Sequence, residues 1–456
     1  MNNLQPNNKE ITSARLLRTS QQELRNDLLV PKLRFKEFEG EWSKKRLNTI
    51  NIKVIDGDRG KNYPNGNDFS NDGFCLFLNA KNVTKKGFSF AVTSFISKEK
   101  DLLLRKGKLK RFDIVLTTRG SVGHIAYYNE SIHFENLRIN SGMVLIRTDS
   151  KFVVSNYLNR YFRSNQIQNE IKKISFGSAQ PQLTVGEIVK FKIAFPSLKE
   201  QQKIATFLTA VDTKIQQLGQ KKELLANYKK GVMQQLFSQQ LRFKPDSNKT
   251  GVIANDSEAI SNSKNEQNSF PDWEEKRLGE IADIKRGAGS QYINYVNKES
   301  NSIRLIRIGD FLGNEPVFIK NTNDIKRFRI SKDDILIAGT GATAGITFKV
   351  PNEFIDLAFS YNAPRIRAKK VKADFLIFYL KSDLILRQQR GLFTGNAQPF
   401  LDTKAINNFK LKIPSLKEQQ KIANYLSAID KKIETVQTQI DKTQAFKKGL
   451  LQQMFV

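Results

Sequence analysis

Two stretches of the chain carry the same narrow stripe of apolar residues. In the first, Ile204, Leu208, Val211, Ile215 and Leu218 follow one another in alternating steps of four and three, and the stripe resumes at Leu225, Tyr228, Val232 and Leu236. In the second, Ile422, Leu426, Ile429, Ile433 and Val436 repeat those steps, and Phe446, Leu450 and Met454 continue them. This spacing draws one thin apolar seam along a helix, as in a helix that pairs with another helix. Each stretch opens after a proline with S-x-x-E, Ser197 with Glu200 and Ser415 with Glu418, the capping-box pattern of a helix start. A helix of about 40 residues reaches on the order of 60 Å. That outruns a small domain, so each helix is expected to take the other as partner, antiparallel, rather than simply lie on its own domain. Gly231 and Gly449 fall inside the periodic stretches. Close approach of a neighbouring helix and a helix break account for them equally well.

The stripes belong to a longer repeat. PSLKEQQKIATFLTAVDTKI from Pro196 returns from Pro414 as PSLKEQQKIANYLSAIDKKI, 218 residues later, and the match runs without a gap to Phe237 and Phe455 with about half of the pairs identical. Upstream at the same offset, GSAQPQL from Gly177 matches GNAQPFL from Gly395, and Tyr157, Leu158 and Tyr161 match Phe375, Leu376 and Tyr379. The copies also open alike, EWSKKRLNTI at Glu41 and DWEEKRLGEI at Asp272, but segments 51–110 and 282–332 share only traces. Common parts are expected to do one job twice, and divergent middles two different jobs. The implied division is an N-terminal extension 1–30 with a short helix from Glu10, a domain 31–195, a long helix 196–240, a polar linker 241–269, a second domain 270–413 and a second long helix 414–456.

Within the two domains, 112–128 and 333–350 each read as strand, glycine loop, strand. Such a loop is either an ordinary hairpin turn or a close approach to phosphate. Arg119, beside Gly120 and Ser121, tilts the first copy toward nucleic acid; Thr340 and Gly341 hold the matching places, so in the second copy an arginine must come from elsewhere, Arg307 or Arg286. Further basic candidates are Lys85 with Lys86, the run 106–111 ending in Arg111, and the run 326–329 containing Lys326 and Arg327; a run of charge is more often simply a solvated face. FVVSNYLNRYFRSNQIQNEIKK and ADFLIFYLKSDLILRQQRG read as amphipathic helices with aromatic core faces.

Charge sharpens this picture. The 456 residues carry a formal charge of +30, and a surface so positive attracts polyanions, nucleic acid first among them. Cys75 is the only cysteine and His124 and His133 the only histidines, which leaves little for a disulfide, a zinc cluster or an imidazole-based hydrolase. The polar N-terminus has no apolar signal core and no run is long enough to span a membrane, so the cytoplasm is the expected location.

Catalytic motifs are missing. The chain contains no Pro-Pro, as the target-holding loop of an adenine methyltransferase would need, and no GxxxxGK[ST] phosphate loop. Pro271-Asp272-Trp273-Glu274-Glu275-Lys276 imitates a PD…ExK nuclease, but Asp272 and Glu274 are too close in sequence to come from the separate strands such a site uses. No catalytic residue and no metal site is expected.

The duplicated PSLKEQQKIA…KKG(V/L)(M/L)QQ(L/M)F segments, the EW…KRL openings and the GxAQP loops resemble the specificity subunits of type I restriction–modification enzymes, over nearly the whole chain from Leu33 onward. The resemblance implies an α+β chain with two similar mixed α/β target-recognition domains, separated by two long antiparallel coiled-coil helices in a pseudo-two-fold repeat. It implies that each domain reads half of a bipartite site in double-stranded DNA and that the helices act as a ruler. It further implies docking of two methyltransferase subunits holding S-adenosylmethionine and of two restriction subunits using ATP and magnesium, with catalysis left to them. A free-standing two-headed DNA-binding regulator and an enzyme with an unrecognised site are the alternatives; the first would work without a methyltransferase, the second would act alone.

Overall fold

The computed structural model describes residues 29–148, 151–175, 182–245, 260–261, 270–393 and 399–456. The expected short helix before residue 29, most of the polar linker, and the GxAQP residues 177–181 and 395–398 lie outside these. The chain forms two compact units, Met1–Leu218 with Gln439–Val456, and Gly219–Thr438.

The first unit contains β1 (Ser43–Arg46), β2 (Ile52–Asp56), β3 (Cys75–Leu78), β4 (Phe95–Ile96), β5 (Ile114–Thr117), β6 (Ile125–Tyr127), β7 (Leu137–Ile139), β8 (Met143–Thr148), α1 (Ser155–Phe162), α2 (Asn165–Ser175) and β9 (Lys192–Phe195), followed by the long helix α3 (Leu198–Phe237). One antiparallel sheet has the order β2-β8-β5-β6, a second β4-β3-β7 with β3 and β7 parallel, and β1 pairs with β9. The second unit repeats this plan with β10 (Glu274–Arg277), β11 (Ala282–Lys285), β12 (Tyr295–Val296), β13 (Ser302–Ile306), β14 (Val317–Lys320), β15 (Ile335–Ile337), β16 (Thr347–Lys349), β17 (Ala358–Phe359), β18 (Arg365–Ala368), α4 (Ala373–Leu380), α5 (Asp383–Phe393), β19 (Lys410–Ile413) and α6 (Leu416–Gln453). Its sheets are β11-β18-β15-β16 and β12-β14-β13-β17, with β13 and β17 parallel, and β10 pairs with β19. Topology is therefore retained where sequence identity has faded.

The seam residues do two jobs. Ile204, Leu208 and Val211 are buried in one core with Trp42, Tyr157 and Phe191 of their own domain, with Leu450 of α6 and with Met454 and Phe455 just beyond its end. Ile422, Leu426 and Ile429 are likewise buried with Phe375, Tyr379 and Phe409 and with Val232, Leu236 and Phe237 of α3. The choice between packing on a domain and pairing with a helix is thus not exclusive, because the first turns of each helix do both. Ile215 and Ile433 pack at the margins of these cores, and Leu218 and Val436 are buried.

Within the second unit the helix pairing is antiparallel. Lys222 donates to Gln437 (2.6 Å) and Lys229 forms an ion pair with Asp430 (2.6 Å), so one number falls as the other rises; nearby the Tyr228 and Tyr425 hydroxyls meet at 2.6 Å. Within the first unit Asp212 of α3 pairs with Lys447 of α6 at 2.6 Å. Both helices run unbroken through Gly231 and Gly449, where an added Cβ would meet nothing within 4 Å. Neither a break nor a close approach therefore explains the glycines.

The helix starts correct the capping-box reading in half. Ser197 and Ser415 accept from the backbone N–H groups of Glu200 (3.3 Å) and Glu418 (3.4 Å). The glutamates do not reach back to the cap. Arg34 donates to both oxygens of Glu200 at 2.8 Å, and Arg242 does the same to Glu418 at 3.2 and 2.8 Å. The neighbouring Gln201 and Gln419 are also buried; Gln201 accepts from Val154 N–H and donates to the Pro196 carbonyl, and Gln419 accepts from Lys372 N–H and donates to that of Pro414. The repeated KEQQ thus clamps each helix start to its own domain.

Candidate nucleic-acid interface

The glycine loops of the two units share a backbone frame. In the first, Thr118 N–H donates to the Gly142 carbonyl (2.8 Å), Leu183 N–H donates to that of Thr118 (3.0 Å), and Arg119 bridges to Gln182. In the second, Gly339 N–H donates to the Asn362 carbonyl (2.9 Å), Leu401 N–H donates to that of Gly339 (2.8 Å), and Thr340 bridges to Phe400. Gly120 and Gly341 have φ of 68° and 76°, a left-handed turn that favours glycine. Gln168 donates to the Gly123 carbonyl and Gln389 to that of Gly345, tying each loop to the helix behind it. The loops are hairpin connections whose tips Arg119, Gly120 and Ser121 are exposed. The Arg119 guanidinium makes no ion pair among the described residues.

The remaining candidates fall into three groups. Lys85 and Lys86 form the exposed tip of a two-residue turn between Val83–Thr84 and Gly87–Phe88. Arg163 braces that turn from behind, donating to the carbonyls of Lys85 (3.4 Å) and Ile125 (2.5 Å); burial pushes its guanidinium down to about 10, which leaves it charged at neutral pH. Lys326 and Arg327 are exposed on the 3-10 turn Asn323–Phe328, with Arg327 lying 4.3 Å over the Tyr292 ring.

Arg111 and Arg307 are taken up by the fold, which displaces them as free contacts. Arg111 lies 4.2 Å over the Tyr128 ring and donates to the carbonyls of Asn129 and Ile132, both at 2.8 Å. Arg307 donates to the Asp310 carboxylate and to the Glu315 carbonyl. Arg307 still lines a cleft of about 870 Å³ in the second unit, together with Gln291, Tyr295, Thr340, Tyr361 and Asn362.

Arg286 projects beside this cleft, with its guanidinium over the rings of Tyr361 and Phe400. Sequence reasoning named Arg286 but missed both aromatics. Alignment of the GxAQP copies pairs Phe400 with Gln182, a signal that the two loops present different chemistry on one frame. At the place of Tyr361 the first unit has Ser141, whose carbonyl accepts from Arg59 (3.3 Å). Among the described residues no three histidine, cysteine or carboxylate side chains gather as a metal site, and no helix is long and apolar enough to cross a membrane.

The type I restriction modification DNA specificity domain matches residues 39–226 and again 271–444. The MjaVIII specificity subunit of Methanocaldococcus jannaschii is 25% identical over 327 residues, covering 69% of this chain and 72% of its own. The StySPI specificity subunit of Salmonella potsdam is 22% identical over 424 residues, covering 88% and 84%. In fold the chain is similar to the crystal structure of the S subunit of a type I restriction–modification system from M. genitalium, with a TM-score of 0.52, 16% identity and coverage of 94% and 99%. With the domain model matched twice over most of its length, and the same two-sheet frame in both matched regions, the chain belongs to the specificity subunits of type I restriction–modification enzymes.

Proposed function

We propose that this chain reads a bipartite site in double-stranded DNA, each domain taking one half, with 31–195 and 270–413 as the reading domains. One observation carries this reading: the loops at Arg119 and Thr340 share their backbone pairings but expose different side chains. A common frame positions both domains alike, while Arg119, Ser141 and Gln182 on one and Thr340, Tyr361 and Phe400 on the other present unlike groups to base edges. The charge of +30 supplies the general attraction to phosphate.

The chain itself is non-catalytic, and the chemistry falls to partners: two adenine methyltransferase subunits that hold S-adenosylmethionine, and two restriction subunits that use ATP and magnesium. Paired surfaces support a partner present twice. Leu198 and Leu416 occupy equivalent positions and are 44% and 54% exposed, as do Tyr228 and Phe446 at 52% and 54%. An apolar surface repeated in both units suits two copies of one protein. Such an assembly works on the chromosome, in the cytoplasm.

The test is to express the full chain with its methyltransferase and map modified bases in the host DNA. A bipartite motif is expected, and exchanging residues 31–195 for those of a relative should change one half only. Loss of the motif's two-part form, or a change in both halves together, would overturn the reading.

A further inference from the structure

Arg286 is the first residue beyond β11, and there the chain runs hard against its neighbour. A Cβ on Gly287 would lie 2.2 Å from the Phe359 carbonyl oxygen, so only glycine fits. Ala288 N–H donates to that carbonyl (2.8 Å), and Tyr361 N–H donates to the Ala288 carbonyl (2.9 Å). This register lays the Arg286 guanidinium over the Tyr361 ring, 4.4 Å from its centroid, and 5.3 Å from that of Phe400. Phe400 is itself set by its bridge to Thr340 in the glycine loop. Both rings remain 45% and 47% exposed, so the stack stands open at the surface.

Four other arginines of this domain are committed to carboxylates, Arg304 and Arg307 to Asp310, Arg365 to Asp283 and Arg367 to Asp334, and Arg329 is held by the Asp356 carbonyl and Asn321. Arg286 has no carboxylate partner among the described residues. A guanidinium held by its face keeps its N–H donors in the plane, directed away from the rings. Two such donors match O6 and N7 of guanine in the major groove, and a plane fixed beforehand gives up little freedom on binding.

We infer that Arg286 reads a guanine in the half-site of the second domain, with Tyr361 and Phe400 as positioning residues. This rests on the proposed DNA-reading function. In the first domain the equivalent places hold Asp56, Ser141 and Gln182, so the contact belongs to one half-site alone.

The test uses the full chain and a pool of duplexes randomised across both half-sites, with the bound fraction sequenced. Wild type should enrich a bipartite motif containing the guanine. Arg286→Lys keeps the charge but loses the fork, and should cut enrichment of that guanine about ten- to hundredfold while sparing the other positions. Tyr361→Leu and Phe400→Leu should weaken the same position by a smaller factor, which keeps the assignment testable should the arginine variant melt early. Normal melting with unchanged enrichment, or equal weakening on every sequence, would overturn the inference. Failure of the wild type to enrich any motif would instead overturn the DNA-reading function on which it stands.

Discussion

Arg34 grips Glu200 across 166 residues of sequence, its Nε and Nη2 each donating to one carboxylate oxygen at 2.8 Å. Glu200 is 1% exposed. A carboxylate so buried depends on its partner, and removing one member of such a pair costs about 3–5 kcal/mol. Arg34→Ala should therefore lower the stability of the first unit by that amount. The chain has two tryptophans, Trp42 in the first unit and Trp273 in the second, so urea unfolding followed by Trp42 fluorescence in a Trp273→Phe background reads the first unit alone. An unchanged midpoint would show that Glu200 is held by other contacts.

Gly231→Ala and Gly449→Ala should each stabilise the chain by about 1 kcal/mol, because both glycines sit in helix interiors and the added methyl meets nothing. Thermal melting of the isolated chain checks this. A lower melting temperature would mean that the methyl strains the paired helices.

Asp212 gives a pH dependence. Burial opposes its charge, but Arg160 and Lys447 outweigh that and hold its carboxyl below the ordinary 3.8. A lowered acid contributes stability that is complete above the ordinary value and lost as pH falls through the folded one. Asp212→Asn should thus unfold at lower urea than wild type at pH 7, and the gap should close as pH falls below 3.8. A gap that stays constant through that window would remove Asp212 from the linkage.

Arg119→Ala distinguishes two kinds of contact. A base contact should cost about 1–3 kcal/mol on the cognate site and relax one position of the N-terminal half-site. A phosphate contact should weaken all sequences alike and reduce the salt slope by about one. Binding titrations at several salt concentrations separate these, and no effect on either would shift attention to Lys85 and Lys86.

The long helices and the duplication were legible in the sequence because steps of three and four and a gap-free repeat are local signals. The clamp was not, although its trace is there: Leu33-Arg34-Phe35-Lys36 returns as Leu241-Arg242-Phe243-Lys244. The polar linker after Lys244 breaks the offset that relates the rest of the repeat, so the tetrapeptides fall out of register and Arg34 looks like any surface arginine. The partners of Arg111 were hidden for another reason: a charge run does not say which member will find a ring and two carbonyls. The stack of Arg286, Tyr361 and Phe400 joins three distant segments through strand register, which no spacing rule reaches.

The backbone frame shared by the Arg119 and Thr340 loops has a consequence for how the chain can change over time. Its hydrogen bonds come from main-chain atoms of Thr118 and Gly142, or of Gly339 and Asn362, and these are indifferent to the side chain at the tip. Positions 119, 141 and 182, and their counterparts 340, 361 and 400, can therefore be rewritten with little effect on folding, whereas the KEQQ clamps and the helix seams cannot. On the proposed DNA-reading function, what is recognised can thus change without disturbing what holds the fold together.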